Sequence, residues 1–239
     1  MIKNYVAVDL ETTGLYPKQD RIIEIGALRV RNGEVVEKFS SFINPLQKLP
    51  EKVTQITGIT DKDLMQAPTM EDIWKEVFDF LGEDILLGQR ILFDYSFFKR
   101  IAVNHGYSFE RNGIDTLKIA RKYLASLESR TLSGLCEYYH IPIRAHRALE
   151  DAKATHILYQ KLAEDFEAEE TDAVFCPQPL IYKVKKESSI TSSQLEQLKR
   201  LMERYSVKPD IVPESLTKNE ASRYIDKIRS GAYTDDNIS

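Results

Sequence analysis

Apolar residues recur along this chain with two periods, and the switch between them lays out the elements. Tyr5-Val6-Ala7-Val8-Asp9-Leu10 is a nearly continuous apolar run, the pattern of a strand buried on both faces. Residues 22–30 predict a second strand and 35–43 a third. Asn32-Gly33 lies between them, a hairpin signal because the tightest favoured turns need positive φ at both central residues. Three antiparallel strands therefore open the chain. From Met70 the period lengthens to that of a helix, with Ile73, Trp74, Val77, Phe78 and Leu81 on one stripe of 70–81. Further helices are expected over 95–105, 117–124, 132–139 and 149–166, and 84–88 is a short strand candidate. The order βββ-α-β-α-α-α implies an α/β fold, a mixed sheet covered by helices.

The pattern changes after the acidic run 164–170. Residues 1–168 are expected to form one domain, 169–190 a connector containing Pro177 and Pro179, and 191–239 a small helical module. Within the connector, 180–184 is a strand candidate. Ser193-x-x-Glu196 and Thr217-x-x-Glu220 both read as capping boxes, in which an N-cap hydroxyl and an acid three residues on satisfy each other's backbone donors. Leu195, Leu198, Leu201, Met202 and Tyr205 form one stripe of this module; Ala221, Tyr224, Ile225 and Ile228 form another. Basic side chains outnumber acidic ones in 183–239, the reverse of 1–182. Two readings stay open: the module adds substrate or partner affinity, or it covers an apolar patch of the first domain.

Composition narrows the function classes. The 239 residues carry 33 Lys+Arg against 37 Asp+Glu, a formal net charge of −4, so no global basic field draws in nucleic acid. Two cysteines forty residues apart, Cys136 and Cys176, exclude a disulfide framework and a zinc–thiolate cluster. No apolar stretch approaches the ~20 residues that span a bilayer. Asp9 interrupts the N-terminus before a signal-peptide core can form, which makes the cytoplasm the expected compartment.

The candidate chemistry starts with Asp9 and Glu11. Residues i and i+2 of a strand share a face, so both carboxylates point one way at the end of a buried strand. Such an arrangement is costly unless a cation neutralises it. Taken alone, an Asp-x-Glu pair fits a solvated strand end as well as a metal site.

The wider pattern decides between them. Asp9-Leu10-Glu11-Thr12-Thr13-Gly14-Leu15, followed by Ile22-Ile23-Glu24-Ile25-Gly26, resembles the first motif of the DEDD exonucleases. Ile56-Thr57-Gly58-Ile59-Thr60, with Leu64 and Pro68, matches a second segment of that family. Phe93-Asp94-Tyr95-Ser96-Phe97-Phe98 resembles its second catalytic motif, and Asp115-Thr116-Leu117 with Arg121 the structural segment that follows. His146-Arg147-Ala148-Leu149-Glu150-Asp151-Ala152 resembles the third motif, with His five residues before Asp as in the His-containing (DEDDh) branch. The resemblance covers about residues 5–165 and leans towards the DNA polymerase III proofreading type.

That resemblance implies a ribonuclease-H-like fold and a 3′→5′ exonuclease dependent on two divalent cations, Mg²⁺ or Mn²⁺. Hard oxygen ligands suit those ions rather than zinc, and such a pair both activates water and stabilises a leaving oxygen. Asp9, Glu11, Asp94 and Asp151 are the implied metal ligands, and His146 the implied general base. Thr12 and Thr13 resemble the segment that contacts the terminal nucleotide. One departure concerns the positions five and four residues before Asp94, where the family has His-Asn and this chain has Gln89 and Arg90. Arg90 then has two readings, a phosphate contact or a solvent-facing side chain. His146 stands between Arg144 and Arg147, which also suits a plain basic loop. His105, His140 and His156 read as ordinary histidines, and Phe97 and Phe98 as core. The implied substrate is a single-stranded or frayed 3′ end of DNA, with a DNA polymerase or replisome as partner. RNA trimming is the alternative within the same chemistry. An inert binding module is the alternative outside it, which retention of all five groups disfavours.

Overall fold

The computed structural model describes residues 1–143, 146–167, 173–208 and 211–231. Arg144, the end of the acidic run and the start of the connector lie outside the described residues. Six strands form one sheet in the order β3-β2-β1-β4-β5-β6. β1 (Tyr5–Thr12), β2 (Ile22–Arg31) and β3 (Glu34–Phe42) are the expected antiparallel meander. Asn32 and Gly33 at its turn take φ of 54° and 85°, as that hairpin requires. β4 (Leu86–Gly88) then pairs parallel with β1, and β5 (Asn112–Asp115) parallel with β4.

Helices cover both faces. Alternation along β1 sends Tyr5 and Ala7 to one side, where they pack with Leu158, Leu162 and other residues of α7 (Ala148–Phe166). Val6, Val8 and Leu10 go to the other side. There they meet Val77, Phe78 and Leu81 of α3 (Met70–Leu81) and Tyr95, Phe97 and Phe98 of α4 (Leu92–Asn104). Phe97 and Phe98 are thus core residues. α5 (Thr116–Tyr123) and α6 (Leu132–Tyr138) complete the layer beside α7.

Several details depart from the expected pattern. α1 (Glu51–Thr57) and α2 (Asp61–Leu64) occupy the Thr-Gly-Ile-Thr segment, with Gly58 closing α1 at φ 72° and Thr60 capping α2. β5 was not anticipated. The connector strand β6 is Gln178–Pro179 rather than 180–184, a two-residue antiparallel pairing with β5. The capping box of α8 (Ser192–Arg204) is Thr191 with Gln194, not Ser193 with Glu196. Glu196 instead sits one turn inside, paired with Arg200. The box at Thr217 and Glu220 does open α9 (Lys218–Arg229). Tyr205 is 50% exposed and leaves the expected stripe, while Leu198 packs with Ala221, Ile225 and Ile228 in a cluster of their own. This unit touches the sheet domain: the Val212 N–H donates to the Leu46 carbonyl at 2.8 Å, and Arg21 pairs with Glu220 at 2.7 Å. Both cysteines are free. No helix among the described residues is long and apolar enough to cross a membrane.

Candidate active site

Four carboxylates reach one place because three elements end there. Asp9 and Glu11 leave the C-terminal half of β1 on the face that α7 covers. Asp151 lies in the first turn of α7, and Asp94 in the first turn of α4, which comes from the opposite face. Asp94 accepts the Leu10 N–H through Oδ1 at 3.0 Å, which locks α4 onto the strand carrying the first pair. Asp151 accepts the His146 N–H through Oδ2 at 3.0 Å, which fixes the turn carrying the histidine. His146 itself is exposed and takes φ 65°. Glu11, His146 and Asp151 each place one candidate ligand atom within 4.8 Å of the others. The structure thus brings the implied acids and the histidine to one strand end.

The electrostatics of this cluster are unfavourable without a cation. Burial, then the neighbouring charges of Asp94, Asp151, Glu11 and Glu24, push the Asp9 carboxyl well above its ordinary range. Glu11 is raised to about 7, mainly by burial and then by Asp151 and Glu24. Asp151 is raised to about 6, again mainly by burial, although the His146 N–H pulls it down. Asp94 is raised too: burial outweighs its two backbone hydrogen bonds, and Asp115 and Glu11 add to it. Helix N-termini offset part of this cost by tolerating acids in the first turn. Asp151 Oδ1, however, is buried with no hydrogen-bond partner. A buried charged acceptor left unpaired costs several kcal/mol unless it is protonated or meets a cation. That orphaned oxygen, in a set of hard oxygen donors, fits a divalent cation.

A second layer holds the acids in place, and sequence reasoning did not foresee it. Glu24 of β2 is 2% exposed, accepts from Arg147 Nη2 at 3.0 Å and from the Ala148 N–H at 3.2 Å, and so caps α7. Gly26, two residues on, allows α7 to rest on the strand: a Cβ there would lie 2.1 Å from the Ala148 carbonyl carbon and from the Leu149 nitrogen. The only hint was that both belong to the first motif's second half.

The substrate-contact candidates divide. Thr12 is half-buried and donates to the Gly14 carbonyl at 2.7 Å. Thr13 is 3% exposed, and its hydroxyl accepts from the Arg21 N–H at 2.9 Å and from Gln47 Nε2 at 3.2 Å. Its role here is to close the loop 14–20, from which Leu15 and Tyr16 project at 68% and 67% exposure. Gln89 is tied inward, donating to the Arg130 carbonyl at 2.9 Å and accepting from Thr116. Arg90 is exposed with φ 68°, its backbone N–H held by Asp115 at 2.9 Å. His105 stacks on Trp74, and His156 Nδ1 meets the Tyr5 hydroxyl at 2.8 Å, both outside the cluster.

Comparison with known proteins agrees with this geometry. A family model described as Exonuclease matches residues 6–159. The PolC-type DNA polymerase III of Clostridium perfringens is 35% identical over 152 residues, 63% of this chain and 10% of that protein. The PolC-type DNA polymerase III of Thermotoga maritima is 37% identical over 162 residues, 67% of this chain and 12% of that protein. This chain therefore spans only about a tenth of those relatives' length. Among solved structures, exonuclease X in complex with 5′ overhanging duplex DNA shares the fold with a TM-score of 0.57. It is 21% identical and covers 72% of this chain and 99% of its own. E. coli exonuclease I in complex with a dA16 oligonucleotide has a TM-score of 0.60 at 21% identity, covering 69% of this chain and 41% of its own. The matched span holds the segments that carry Asp9 with Glu11, Asp94, and His146 with Asp151, and the chain belongs to the exonuclease family.

Proposed function

We propose that this protein is a 3′→5′ exonuclease that hydrolyses the terminal phosphodiester of DNA and releases nucleoside 5′-monophosphates, in proofreading or repair. The observation that carries it is the convergence of Asp9, Glu11, Asp94 and Asp151, with the unpartnered Asp151 Oδ1 among them and His146 at the rim. In this reading the four acids hold two divalent cations, Mg²⁺ or Mn²⁺. When bound, such a pair offsets the acids' charge, makes water a better nucleophile and stabilises a departing oxygen.

The chain's own residues do the rest. His146 takes the proton of the attacking water, a role that suits an imidazole because its ordinary pKa is near working pH. Asp151 orients the turn that carries His146, and Glu24 with Arg147 orients Asp151. The loop closed by Thr13 sets the wall for the terminal nucleotide. Leu15 and Tyr16 on that loop offer apolar surface against which bases stack. Thr12 and Arg90 complete the proposed substrate contacts, Arg90 through its exposed guanidinium. Because relatives matching this span are DNA polymerases by name, the substrate proposed is a frayed 3′ end of the kind a polymerase leaves, with a polymerase as partner. We read residues 1–168 as the nuclease domain, 169–190 as a connector and 191–239 as a helical unit docked on it through Val212 and Glu220.

The test is digestion of end-labelled single-stranded DNA, single-stranded RNA, matched duplex and 3′-mismatched duplex. Mononucleotides released from the 3′ end, faster from DNA and from the mismatch, are expected with Mg²⁺. Undiminished cleavage in EDTA overturns the metal-dependent reading.

A further inference from the structure

A chain that is acidic overall, with a carboxylate cluster at its active site, repels a polyanion, so something local has to hold the strand. One surface of this molecule has the opposite sign. An open groove of about 1150 Å³ runs between α4, the start of β5 and the connector, and reaches the loop after β1. Lys18, Lys183, Lys185 and Lys186 line it. All four are exposed, and none has an ion-pair partner among the described residues. The groove's other cations are neutralised: Lys99 pairs with Glu110, Arg100 with Glu187, and Arg111 with Glu83. A surplus of four positive charges is left in one groove.

A run of lysines on a surface is commonly just a solvated face. Three features set this one apart. The segment 181–186 is held at both ends: the Leu180 N–H donates to the Arg111 carbonyl at 2.9 Å, and the Glu187 N–H to Asn104 Oδ1 at 3.0 Å. Between these anchors the chain alternates, with Tyr182 and Val184 half-buried while Lys183 and Lys185 face water. The lysines are therefore displayed on a fixed bridge, which lowers the ordering cost of binding. Finally, the loop that follows the site's own strand supplies one wall residue of the groove, Lys18. Thr13, two residues after Glu11, donates its N–H to the Arg21 carbonyl at 2.8 Å and closes the loop. Lys18 is exposed on that loop and lines the groove, and the Tyr16 N–H donates to Asp20 Oδ2 at 2.7 Å within it. Along α4, Asp94 of the site and Arg100 of the groove are separated by six residues, a rise of about 9 Å.

We propose that the groove carrying Lys18, Lys183, Lys185 and Lys186 binds the sugar–phosphate backbone of the strand whose 3′ end occupies the carboxylate site. This rests on the nuclease reading for its occupant, and names where the rest of that substrate lies. Ammonium groups contact phosphate without reading bases, so the binding is sequence-independent.

The experiment compares the full chain with a variant carrying Lys18→Gln, Lys183→Gln, Lys185→Gln and Lys186→Gln, and with the matching Lys→Arg variant. Binding of a long labelled oligothymidine is measured in EDTA across a salt series. Hydrolysis of that strand and of the 4-nitrophenyl ester of thymidine 5′-monophosphate is measured with Mg²⁺. Single strands contribute a salt slope of about 0.7 per phosphate contact, so the Gln variant should bind more weakly with a slope shallower by about 3. It should digest the long strand more slowly while hydrolysing the small ester as before, and the Arg variant should restore both. Unchanged affinity and slope in the folded Gln variant overturn the proposal, leaving the groove to an acidic protein or to none. Absence of all hydrolysis by the unmodified chain would instead overturn the nuclease reading, and the EDTA binding arm still decides the groove.

Discussion

Two regions of this molecule bury glutamates, and they do it in opposite ways. Glu220, at the seam between α9 and the sheet domain, is 5% exposed. Burial alone would raise its carboxyl, but Arg21 and the Thr217 N–H outweigh that and hold it below its ordinary value. Glu11 has no hydrogen-bond or ion-pair partner among the described residues; Arg147 lowers it only in part, and burial with Asp151 and Glu24 raises it to about 7. The seam is an ion pair that finishes itself; the strand end is an ionic site that something else must finish. Buried charge therefore marks function here only where the protein declines to neutralise it.

The sharpest way to break this contrast is to remove an acid from each region. Asp9→Asn or Asp151→Asn should reduce hydrolysis to background while leaving a folded chain. In EDTA its melting temperature should hold or rise, by about 2–4 °C for each kcal/mol of repulsion relieved. A calorimetric scan showing marked destabilisation would place these acids in the framework instead. His146→Ala should lower turnover by about 10²–10⁴, with a flatter acidic limb of the pH–rate profile. It should keep the thermal shift produced by Mg²⁺, since His146 is proposed as base and not as ligand. Loss of that shift would turn it into a ligand.

Glu220→Gln should cost about 1–3 kcal/mol in denaturant unfolding, because it strands the Arg21 guanidinium, which is partly solvated and so below the full penalty for a broken buried pair. Turnover on short substrates should fall far less than in the strand-end variants. The two regions should also answer pH with opposite sign. Glu11 and Asp151 have folded values of about 7 and about 6, above their ordinary 4.5 and 3.8. Without cations, the stability they contribute is complete below about pH 4 and is lost as pH rises through 6 to 7. Divalent cations replace the protons, so the melting-temperature gap between Mg²⁺ and EDTA should widen from pH 5 to pH 8. Glu220 is lowered instead, so its contribution is present above pH 4.5 and is lost on further acidification. Equal cation shifts at both pH values would remove the strand-end acids from the metal site.

Legibility followed the same division. Long amphipathic patterns such as 70–81 and the β1–β3 meander were plain because many residues vote for one period. β5 was not, since Asn112-Gly113-Ile114-Asp115 offers one large apolar residue and gains its place only from β4 beside it. β6 ends at the residue just before the apolar run that suggested it, because Leu180 and Tyr182 pack against the core as loop residues instead of pairing. The α8 cap moved to Thr191 because Gln194 supplied a reciprocal partner earlier than Glu196 could. In the site, the acids and His146 were readable as motifs with fixed internal spacing. Glu24 was not, because its partners Arg147 and Ala148 come from a helix far along the chain. Thr13 resembles a nucleotide-contacting position, and only tertiary placement reveals that its hydroxyl also accepts from Arg21 and Gln47.

The close approach at Gly26 has a consequence for how activity can be lost. With no room for even a methyl group between β2 and the first turn of α7, Gly26→Ala would have to shift that turn. Asp151 and His146 ride on it together. A chain could thus keep every acid and the histidine intact in its sequence and still be silent, its reactive groups inherited but never assembled. One methyl group on β2 would then silence the site while leaving Asp9, Glu11, Asp94, His146 and Asp151 in view.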